Sequence, residues 1–381
     1  MNPHSKAAPV GTGLSADENS RTVPRTLDVE AVVLAGGHET RLRPLTTLLP
    51  KSLLPLAGTP ILEHLLCRIR EAGIRKVALA TPYQTAPLFE RFGEGSLGDL
   101  KLIYLPEREP LGQTGALMEA VTNLSASRIA VFHADVVGDA DLCGIVKTHV
   151  RQSADVTIHV TKVDDPGSSL CFSIDETGRV TAIVGSESNL QPAYISAGLY
   201  IFERSTIEPI NTDSRASIDR GVLPRLLADG CKIVSHDDSS YWRDINTPEC
   251  LVQASADLIN GLLPSPLLPS CGNENLIHDD ALVAETALIS GGSFVGRDAT
   301  ISPHARVEAS IIMDGAYLDC EAVVERTIVG ENARIGARTR IRNGVVGDNA
   351  DVGADCELAS GVRVWPAVRI PNGGIRFSAD V

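Results

Sequence analysis

Paired glycines and basic residues follow the first apolar run of the chain, and together they could bind an anion. The run is followed by Gly36, Gly37, Thr40, Arg41 and Lys51. Paired glycines allow the backbone to turn sharply and to direct N–H groups towards phosphate oxygens. The hydroxyl, the guanidinium and the ammonium add hydrogen-bond donors and positive charge. These residue types at this spacing indicate a polyphosphate-binding loop.

Glu39 is the residue of this loop that does not suit an anionic ligand. A carboxylate near a triphosphate costs Coulomb energy unless it turns outward or is shared with Arg41, Arg43 or a cation. A side chain at this position also strains a loop that needs a positive φ. We therefore expect an altered phosphate-binding loop that keeps its charged contacts.

The composition is typical of a globular protein with room for two domains: 381 residues, 43% hydrophobic and 22% charged. The formal net charge of −14 argues against a nucleic-acid binder and a membrane-surface protein, since both present basic faces. No apolar run approaches the roughly 20 residues of a membrane span. Eight cysteines are scattered singly, which is typical of reduced thiols in a cytoplasmic protein.

The elements that must position the loop alternate between strand-like and helix-like segments. Residues 28–260 are predicted to form an α/β domain with a Rossmann-like nucleotide-binding mixed sheet, mostly parallel and covered by helices on both faces. Ligands of such sheets bind at the carboxyl ends of the strands, where the glycine loop and the sequence HAD at 133–135 both fall. Residues 1–27 are predicted to be a disordered extension.

The sequence changes in kind after a proline-rich segment at 261–274, which is predicted to be a linker. Within residues 275–381, aliphatic residues recur at intervals of six, with a slip of one residue between blocks that suggests looser corners there, and many are followed by glycine. A hexad of this kind predicts a left-handed parallel β-helix, in which each aliphatic side chain points inward from one side of a three-sided coil. The predicted inward residues are Val283, Ile289, Val295, Ile301, Val307, Ile312, Leu318, Val324, Val329, Ile335, Ile341, Val346, Val352, Leu358 and Val364.

The loop and several later motifs resemble those of a known family, the sugar-1-phosphate nucleotidyltransferases. The family signature is approximately LAGGxGTRLxPLT followed by PKPL, and this chain has LAGGHETRLRPLTTLLPKSLL. The similarity is greatest to the mannose-1-phosphate guanylyltransferase branch, which carries a hexapeptide β-helix. Further matches follow in the family's order: EPLGQTGAL (109–117), HAD (133–135), VTKVDDP (160–166), ISAGLYIF (195–202), SIDRGVLP (217–224) and YWRDINTPE (241–249).

The resemblance implies attack of a sugar-1-phosphate oxygen on the α-phosphorus of a nucleoside triphosphate, expected to be GTP, with release of pyrophosphate. It implies Arg41, Lys51 and Asp135 as catalytic residues, with Arg41 on the β- and γ-phosphates and Lys51 on the α-phosphate. Asp135 and Asp244 would hold Mg²⁺. The implied nucleotide-binding residues are Leu34, Ala35, Gly36, Gly37, Thr40, Arg41 and Gly112.

The acceptor half of the site departs further from the family pattern. His133 and Ala134 replace the Asn and Gly of NGD, Leu170 replaces a glycine, and VGSE at 184–187 replaces VEKP, whose lysine grips the sugar phosphate. These changes favour a pocket rebuilt for an unusual phosphorylated ring, such as a modified sugar or a cyclitol, with His133 or Lys162 taking over the phosphate. The implied acceptor residues are His133, Lys162, Leu170, Gly185, Ser196 and Gly198.

Two alternatives stay open. A non-catalytic relative could bind a nucleotide sugar and regulate a partner, although the retained cations and aspartates favour an active enzyme. A hexapeptide acyltransferase would need a catalytic histidine, and His278 and His304 are the candidates. The expected partners are a nucleoside triphosphate and a phosphorylated sugar or cyclitol, without nucleic acid or membrane, in a homo-oligomer that is a dimer or tetramer.

Overall fold

The computed structural model describes most of the chain. The predicted extension, Gly37 and Glu39 lie outside the described residues. Among the residues that are described, no helix has the length and apolar character needed to cross a membrane. The described residues are 28–36, 40–47, 49–81, 86–93, 95–107, 111–186, 193–210, 216–268, 274–359 and 361–375.

Strands and helices alternate along the N-terminal part of the chain. The strands are β1 (Val29–Leu34), β2 (Pro55–Leu56), β3 (Thr59–Pro60), β4 (Lys76–Thr81), β5 (Ser96–Leu97), β6 (Leu100–Pro106), β7 (Arg128–His133), β8 (Val136–Gly138), β9 (Val156–Val163), β10 (Cys171–Ile174), β11 (Val180–Val184), β12 (Ala193–Glu203), β13 (Ile233–Asp237) and β14 (Trp242–Asp244). The helices are α1 (Ile61–Glu71), α2 (Ala86–Phe92), α3 (Gly112–Thr122), α4 (Leu142–Gln152), α5 (Arg204–Ile207), α6 (Leu223–Ala228) and α7 (Pro248–Ile259).

The main sheet has the strand order β13-β9-β12-β7-β1-β4-β6-β5. Strands β7, β1, β4 and β6 are parallel, whereas β12 runs antiparallel to both β7 and β9. The central strand β1 is apolar at nearly every position because both faces of the sheet are covered. Its alternate side chains pack into two cores, Ala31 and Val33 into one, Val32 and Leu34 into the other. The predicted mixed α/β sheet is confirmed.

The C-terminal part consists of short parallel strands in three sheets. Their orders are β15-β18-β21-β24-β27-β30, β16-β19-β22-β25-β28-β31 and β17-β20-β23-β26-β29, and we call them the first, second and third sides. The strands are β15 (Leu276–Ile277), β16 (Leu282–Val283), β17 (Leu288–Ser290), β18 (Phe294–Val295), β19 (Thr300–Ile301), β20 (Arg306–Glu308), β21 (Ile311–Ile312), β22 (Tyr317–Leu318), β23 (Val323–Glu325), β24 (Ile328–Val329), β25 (Arg334–Ile335), β26 (Arg340–Arg342), β27 (Val345–Val346), β28 (Asp351–Val352), β29 (Glu357–Leu358), β30 (Arg363–Val364) and β31 (Arg369–Ile370).

The predicted left-handed β-helix is confirmed, and its interior is filled by the predicted hexad residues. From Val295 to Val364 these residues are almost completely buried in one cluster, and Val283 and Ile289 pack against it at the first coil. The corner after the third side is one residue shorter in three coils, at 307–312, 324–329 and 341–346, and a ladder of buried hydroxyls lines the corners on this side. The Ser310 N–H donates to Ser293 Oγ, and the Thr327 N–H donates to Ser310 Oγ, each at 3.1 Å.

A charged group at the end of β13 gives the stability of the α/β domain a pH dependence. Burial alone would raise the pKa of Asp238, but hydrogen bonds from Ser240 and from His159 (Nε2 to Oδ1, 3.0 Å) lower it to about 2. Because the folded pKa lies below the ordinary value near 3.8, this carboxylate stabilises the fold above about pH 4. That contribution disappears as the pH falls from about 4 to about 2.

We expect Asp238→Asn to lower the free energy of unfolding at pH 7 by about 1–2 kcal/mol, since the charge and its hydrogen bonds are lost. Urea unfolding of both proteins at pH 7 and pH 3 measures the difference, which should shrink at the lower pH because pH 3 lies between the unfolded and folded pKa values. The neighbouring exposed Asp237→Asn is the matched control and should unfold like the wild type. An Asp238→Asn deficit that is equal at both pH values would contradict the prediction.

Candidate active site

The predicted phosphate loop begins at the carboxyl end of β1, between β4 and β7. The Ala35 N–H donates to the carbonyl oxygen of Ala80 at 2.8 Å, and the Ala134 N–H donates to that of Leu34 at 3.1 Å. These bonds align the ends of three neighbouring parallel strands, so the loop and the HAD motif share one edge of the sheet. That edge is where ligands of parallel sheets bind.

After the sheet edge, three short 3₁₀ turns carry the basic residues: Thr40–Leu42, Leu45–Thr47 and Lys51–Leu53. Arg41 is exposed, whereas Lys51 is buried. The exposed guanidinium can therefore meet a ligand from solvent, and the buried ammonium must act inside the protein.

The remaining predicted nucleotide-binding residues lie around the same edge. Leu34 and Ala35 end β1, and Gly36 and Thr40 are exposed beside it. Gly112 opens α3 with φ +69°, in the left-handed region that favours glycine. Gly37 and Glu39 lie outside the described residues.

Lys51 and Asp135 form the ion pair at the centre of the site. Lys51 Nζ lies 3.0 Å from Asp135 Oδ2, and the lysine side chain is only 6% exposed. Burial works to raise the pKa of Asp135, but the Lys51 ammonium and His133 hold it below its ordinary value. Asp135 is therefore a carboxylate at neutral pH.

Asp244 reaches the same place from a different strand. Strand β14 pairs antiparallel with β8, so that Asp244 lies opposite Val136, and the Ile245 N–H donates to the carbonyl oxygen of Asp135 at 2.9 Å. Burial and the nearby negative charge of Asp135 raise the pKa of Asp244. Two carboxylates close enough to oppose each other's ionisation attract a cation between them.

The donor atoms present fit a magnesium ion. Asp244 Oδ1 is buried and has no hydrogen-bond partner in the described part of the chain, while Oδ2 accepts from Asn246 at 3.1 Å. A buried oxygen without a partner costs free energy that a bound cation would recover. Mg²⁺ commonly takes one or two carboxylates and completes its coordination with water and substrate phosphates. The predicted metal residues Asp135 and Asp244 therefore suit this ion.

Beside this cluster lies a polar network with two residues that the sequence prediction missed. Ser196 Oγ donates to the Tyr200 hydroxyl at 2.7 Å, and that hydroxyl donates to Asp219 Oδ1 at 2.8 Å. The His133 ring lies 5.6 Å from the Tyr200 ring, and its Nε2 is buried without a partner in the described residues. Burial raises the pKa of Asp219, with His133 acting in the opposite direction.

Of the predicted acceptor residues, the structure brings His133, Ser196 and Gly198 to this network. Gly198 lies against His133, and its N–H donates to Ser196 Oγ at 3.1 Å. Leu170 and Gly185 flank the paired ends of β10 and β11, because Cys171 and Val184 are partners in the ladder. Lys162 is exposed on β9, and no hydrogen bond or ion pair joins it to these residues within the described ranges.

Gly198 provides a test of the acceptor side. Its φ is +76°, and a Cβ there would lie 2.9 Å from Val136 Cγ2 and 3.2 Å from His133 Cβ. We expect Gly198→Ala to displace His133 and to lower kcat/KM for the acceptor about tenfold, since small misplacements near reacting groups are costly. The KM for the nucleotide should stay within about twofold.

Steady-state kinetics with each substrate varied in turn measures the effect of Gly198→Ala. Gly230→Ala is the matched control, because Gly230 has φ +84° but nothing lies within 4 Å of the added Cβ. The control shares the backbone strain without the contact. Equal losses in both variants would contradict a role for Gly198 in the acceptor pocket.

Comparison with known proteins identifies the class that this fold and site define. The family model for nucleotidyl transferases matches residues 30–261, and that for the GMPPB C-terminal domain matches residues 271–376. The chain therefore belongs to the nucleotidyl transferase family, as a sugar-1-phosphate nucleotidyltransferase with a GMPPB-type C-terminal domain. The family resemblance of the sequence is confirmed.

Individual relatives agree with this assignment. The chain is 49% identical over 357 residues to mannose-1-phosphate guanylyltransferase from Mycobacterium tuberculosis, covering 93% of this chain and 99% of that one. It is 34% identical to mannose-1-phosphate guanylyltransferase catalytic subunit beta from Drosophila melanogaster, over 58% of this chain and 60% of that one. The solved structure of HddC from Yersinia pseudotuberculosis complexed with GMP-PN superposes with a TM-score of 0.51 at 25% identity, covering 59% of this chain and 97% of that one.

Proposed function

We propose that the protein is a magnesium-dependent enzyme that joins GTP and a cyclic 1-phosphate to give a GDP-linked product and pyrophosphate. The observation that carries the proposal is the cluster of Lys51, Asp135 and Asp244 at the carboxyl edge of the sheet, beside the phosphate loop. GTP as the nucleotide is supported by the similarity to guanylyltransferases and to HddC, which was solved with GMP-PN.

The reaction needs positioned charge more than it needs a covalent nucleophile. An oxygen of the acceptor phosphate forms a bond to the α-phosphorus of GTP, the bond between the α-phosphorus and the bridging oxygen breaks, and pyrophosphate leaves with that oxygen. Lys51 would neutralise charge at the α-phosphate, and the exposed Arg41 would hold the leaving pyrophosphate. The buried ion pair with Asp135 fixes the lysine side chain before substrate arrives.

Asp135 and Asp244 would hold the magnesium ion. Mg²⁺, when bound, supplies positive charge to phosphate oxygens and helps to orient the triphosphate. The chain's own contribution is the pair of carboxylates, one fixed by Lys51 and the other leaving a buried oxygen for a ligand.

The acceptor pocket favours a hydroxylated ring. The Ser196–Tyr200–Asp219 network and the buried His133 Nε2 provide hydrogen-bonding groups for ring hydroxyls or for the phosphate. Since VEKP is replaced by VGSE, the lysine that usually grips the sugar phosphate is absent from its place. We propose that the acceptor is a sugar 1-phosphate or a cyclitol phosphate whose phosphate meets His133.

Pyrophosphate release tests this proposal. Purified protein is incubated with GTP, Mg²⁺ and a panel that includes mannose 1-phosphate, glucose 1-phosphate and cyclitol phosphates. We expect at least one acceptor to give equal amounts of pyrophosphate and a GDP-linked product, and EDTA to stop the reaction. No pyrophosphate from any acceptor, together with tight binding of a GDP-sugar, would instead favour a non-catalytic regulator. Release of free thiol from acetyl-CoA would favour an acyltransferase.

A further inference from the structure

The first side of the β-helix carries a row of outward-facing aliphatic residues that the hexad does not require. On each strand of this side one residue points into the coil and its neighbour points out. The in-register outward neighbours are Phe294, Ile311, Ile328, Val345 and Arg363. On the second side the corresponding residues from β19 to β31 are Thr300, Tyr317, Arg334, Asp351 and Arg369, which are polar or amphipathic. The first side therefore presents an apolar surface that is suited to packing against another part of the protein.

The α/β domain covers this row with the segment that carries the phosphate loop. Ile311 and Ile328 are 1% and 0% exposed, and they belong to one packed cluster with Leu42 and Leu54. Leu42 lies between the two arginines of the loop, and Leu54 follows the turn that holds Lys51. The first side of the β-helix thus packs against the segment that carries the phosphate loop.

Two glycines show how closely the two parts approach each other. A Cβ on Gly58 would lie 2.6 Å from the ring of Phe294, and a Cβ on Gly292 would lie 2.8 Å from Ala256 Cα. Contacts this short leave no room for a side chain, so the interface is closely packed on both sides of the loop segment.

The last residue of the row, Arg363, is a cation that contacts the phosphate loop directly. Arg363 Nη1 donates to the carbonyl oxygen of Arg43 at 2.6 Å. Two backbone hydrogen bonds within residues 40–47 are local, from the Arg43 N–H to the Thr40 carbonyl and from the Thr47 N–H to the Pro44 carbonyl. Short turns of this kind are not stable alone, so contacts from outside must select one conformation.

We propose that Arg363 is a positioning residue, which fixes the phosphate loop from the β-helix so that Arg41 and Lys51 meet the triphosphate together. This inference rests on the proposed function. Arg363 acts through the Arg43 carbonyl and need not touch the substrate. Without it, the loop spends less time in the binding conformation, and the apparent affinity for GTP falls by that fraction while bound GTP still reacts normally.

The test compares Arg363→Ala, Arg363→Lys and the wild type in the full chain. We expect Arg363→Ala to raise the KM for GTP about fivefold, the effect of losing one exposed charge-assisted hydrogen bond, and to leave kcat within about twofold. Arg363→Lys should recover most of the affinity, because an ammonium can also donate to the carbonyl. Arg369→Ala, an exposed arginine on the second side, is the matched control and should match the wild type.

Hydrogen exchange of the protein without substrates provides a measurement that does not depend on the reaction. Amides in residues 40–47 should exchange at least about fivefold faster in Arg363→Ala, because the open fraction of a mostly closed loop rises at least as much as the closed fraction falls, while those of β1 stay unchanged. Unchanged exchange in residues 40–47, or a fall in kcat at constant KM, would overturn the proposal. If the wild type releases no pyrophosphate, the proposed function fails, and the exchange rates together with the affinity for GTP and Mg²⁺ still decide the role of Arg363.

Discussion

Asp244→Asn should lose about 10³-fold in kcat with GTP and Mg²⁺, because a metal site at the phosphates supplies several kcal/mol of charge stabilisation. The substitution keeps the size of the side chain and removes the charge that the buried Oδ1 would share with the cation. It also removes a buried carboxyl group whose ionisation is opposed by burial and by the charge of Asp135. The folded state should therefore be at least as stable as that of the wild type.

Three measurements separate a metal role from a structural one for Asp244. Initial rates of pyrophosphate release give kcat, titration with Mn²⁺ in place of Mg²⁺ gives metal affinity, and urea unfolding gives stability. The exposed Asp229→Asn, at the end of α6, is the control and should behave like the wild type. A variant that keeps wild-type metal affinity and rate would remove Asp244 from the metal site.

Lys51→Met should lower kcat by about 10²–10³-fold, equivalent to about 3–4 kcal/mol, as expected for the loss of one preorganised group that stabilises transition-state charge. The methionine fills the same buried space without the ammonium. The pKa of Asp135 should rise, since the Lys51 charge and hydrogen bond now hold it below its ordinary value. Loss of rate should exceed any change in the KM for GTP.

The exposed Lys101→Met on β6 is the control for Lys51→Met, because it removes an equal charge outside the site. Rates at saturating GTP separate the catalytic effect from binding. If Lys51→Met retained most of its activity while Arg41→Met lost it, the assignment of the α-phosphate to Lys51 would be wrong.

Sequence patterns predicted the parts of this molecule that follow one rule over many residues. The hexad located the coil interior because a three-sided helix must bury one residue on each side of every turn. The central strand β1 was recognisable because a strand covered on both faces is apolar throughout. Glycines and basic residues at close spacing indicated a phosphate loop, and its binding role stays a prediction.

The parts that the sequence did not reveal depend on contacts between distant segments. Tyr200 and Asp219 join through a single hydrogen bond, and neither residue stands out from the motif around it. The covered side of the β-helix does leave a signal in the sequence. From β21 to β27 every strand of that side carries an aliphatic pair, such as Ile311–Ile312 and Ile328–Val329, whereas most strands of the other two sides carry one aliphatic residue beside a polar one. Paired aliphatic residues on every third strand indicate a side that packs against another domain.

The contact between Arg363 and the phosphate loop makes the number of coils in the β-helix important. Stacked strands are about 4.8 Å apart, so each additional coil moves the terminal arginine by that amount relative to the α/β domain. Repeat arrays usually gain or lose internal units with little effect on their neighbours. Here, deletion of one complete coil would withdraw the guanidinium beyond the reach of the Arg43 carbonyl. The number of coils is therefore constrained by the contact with the α/β domain, in addition to the packing within the repeat.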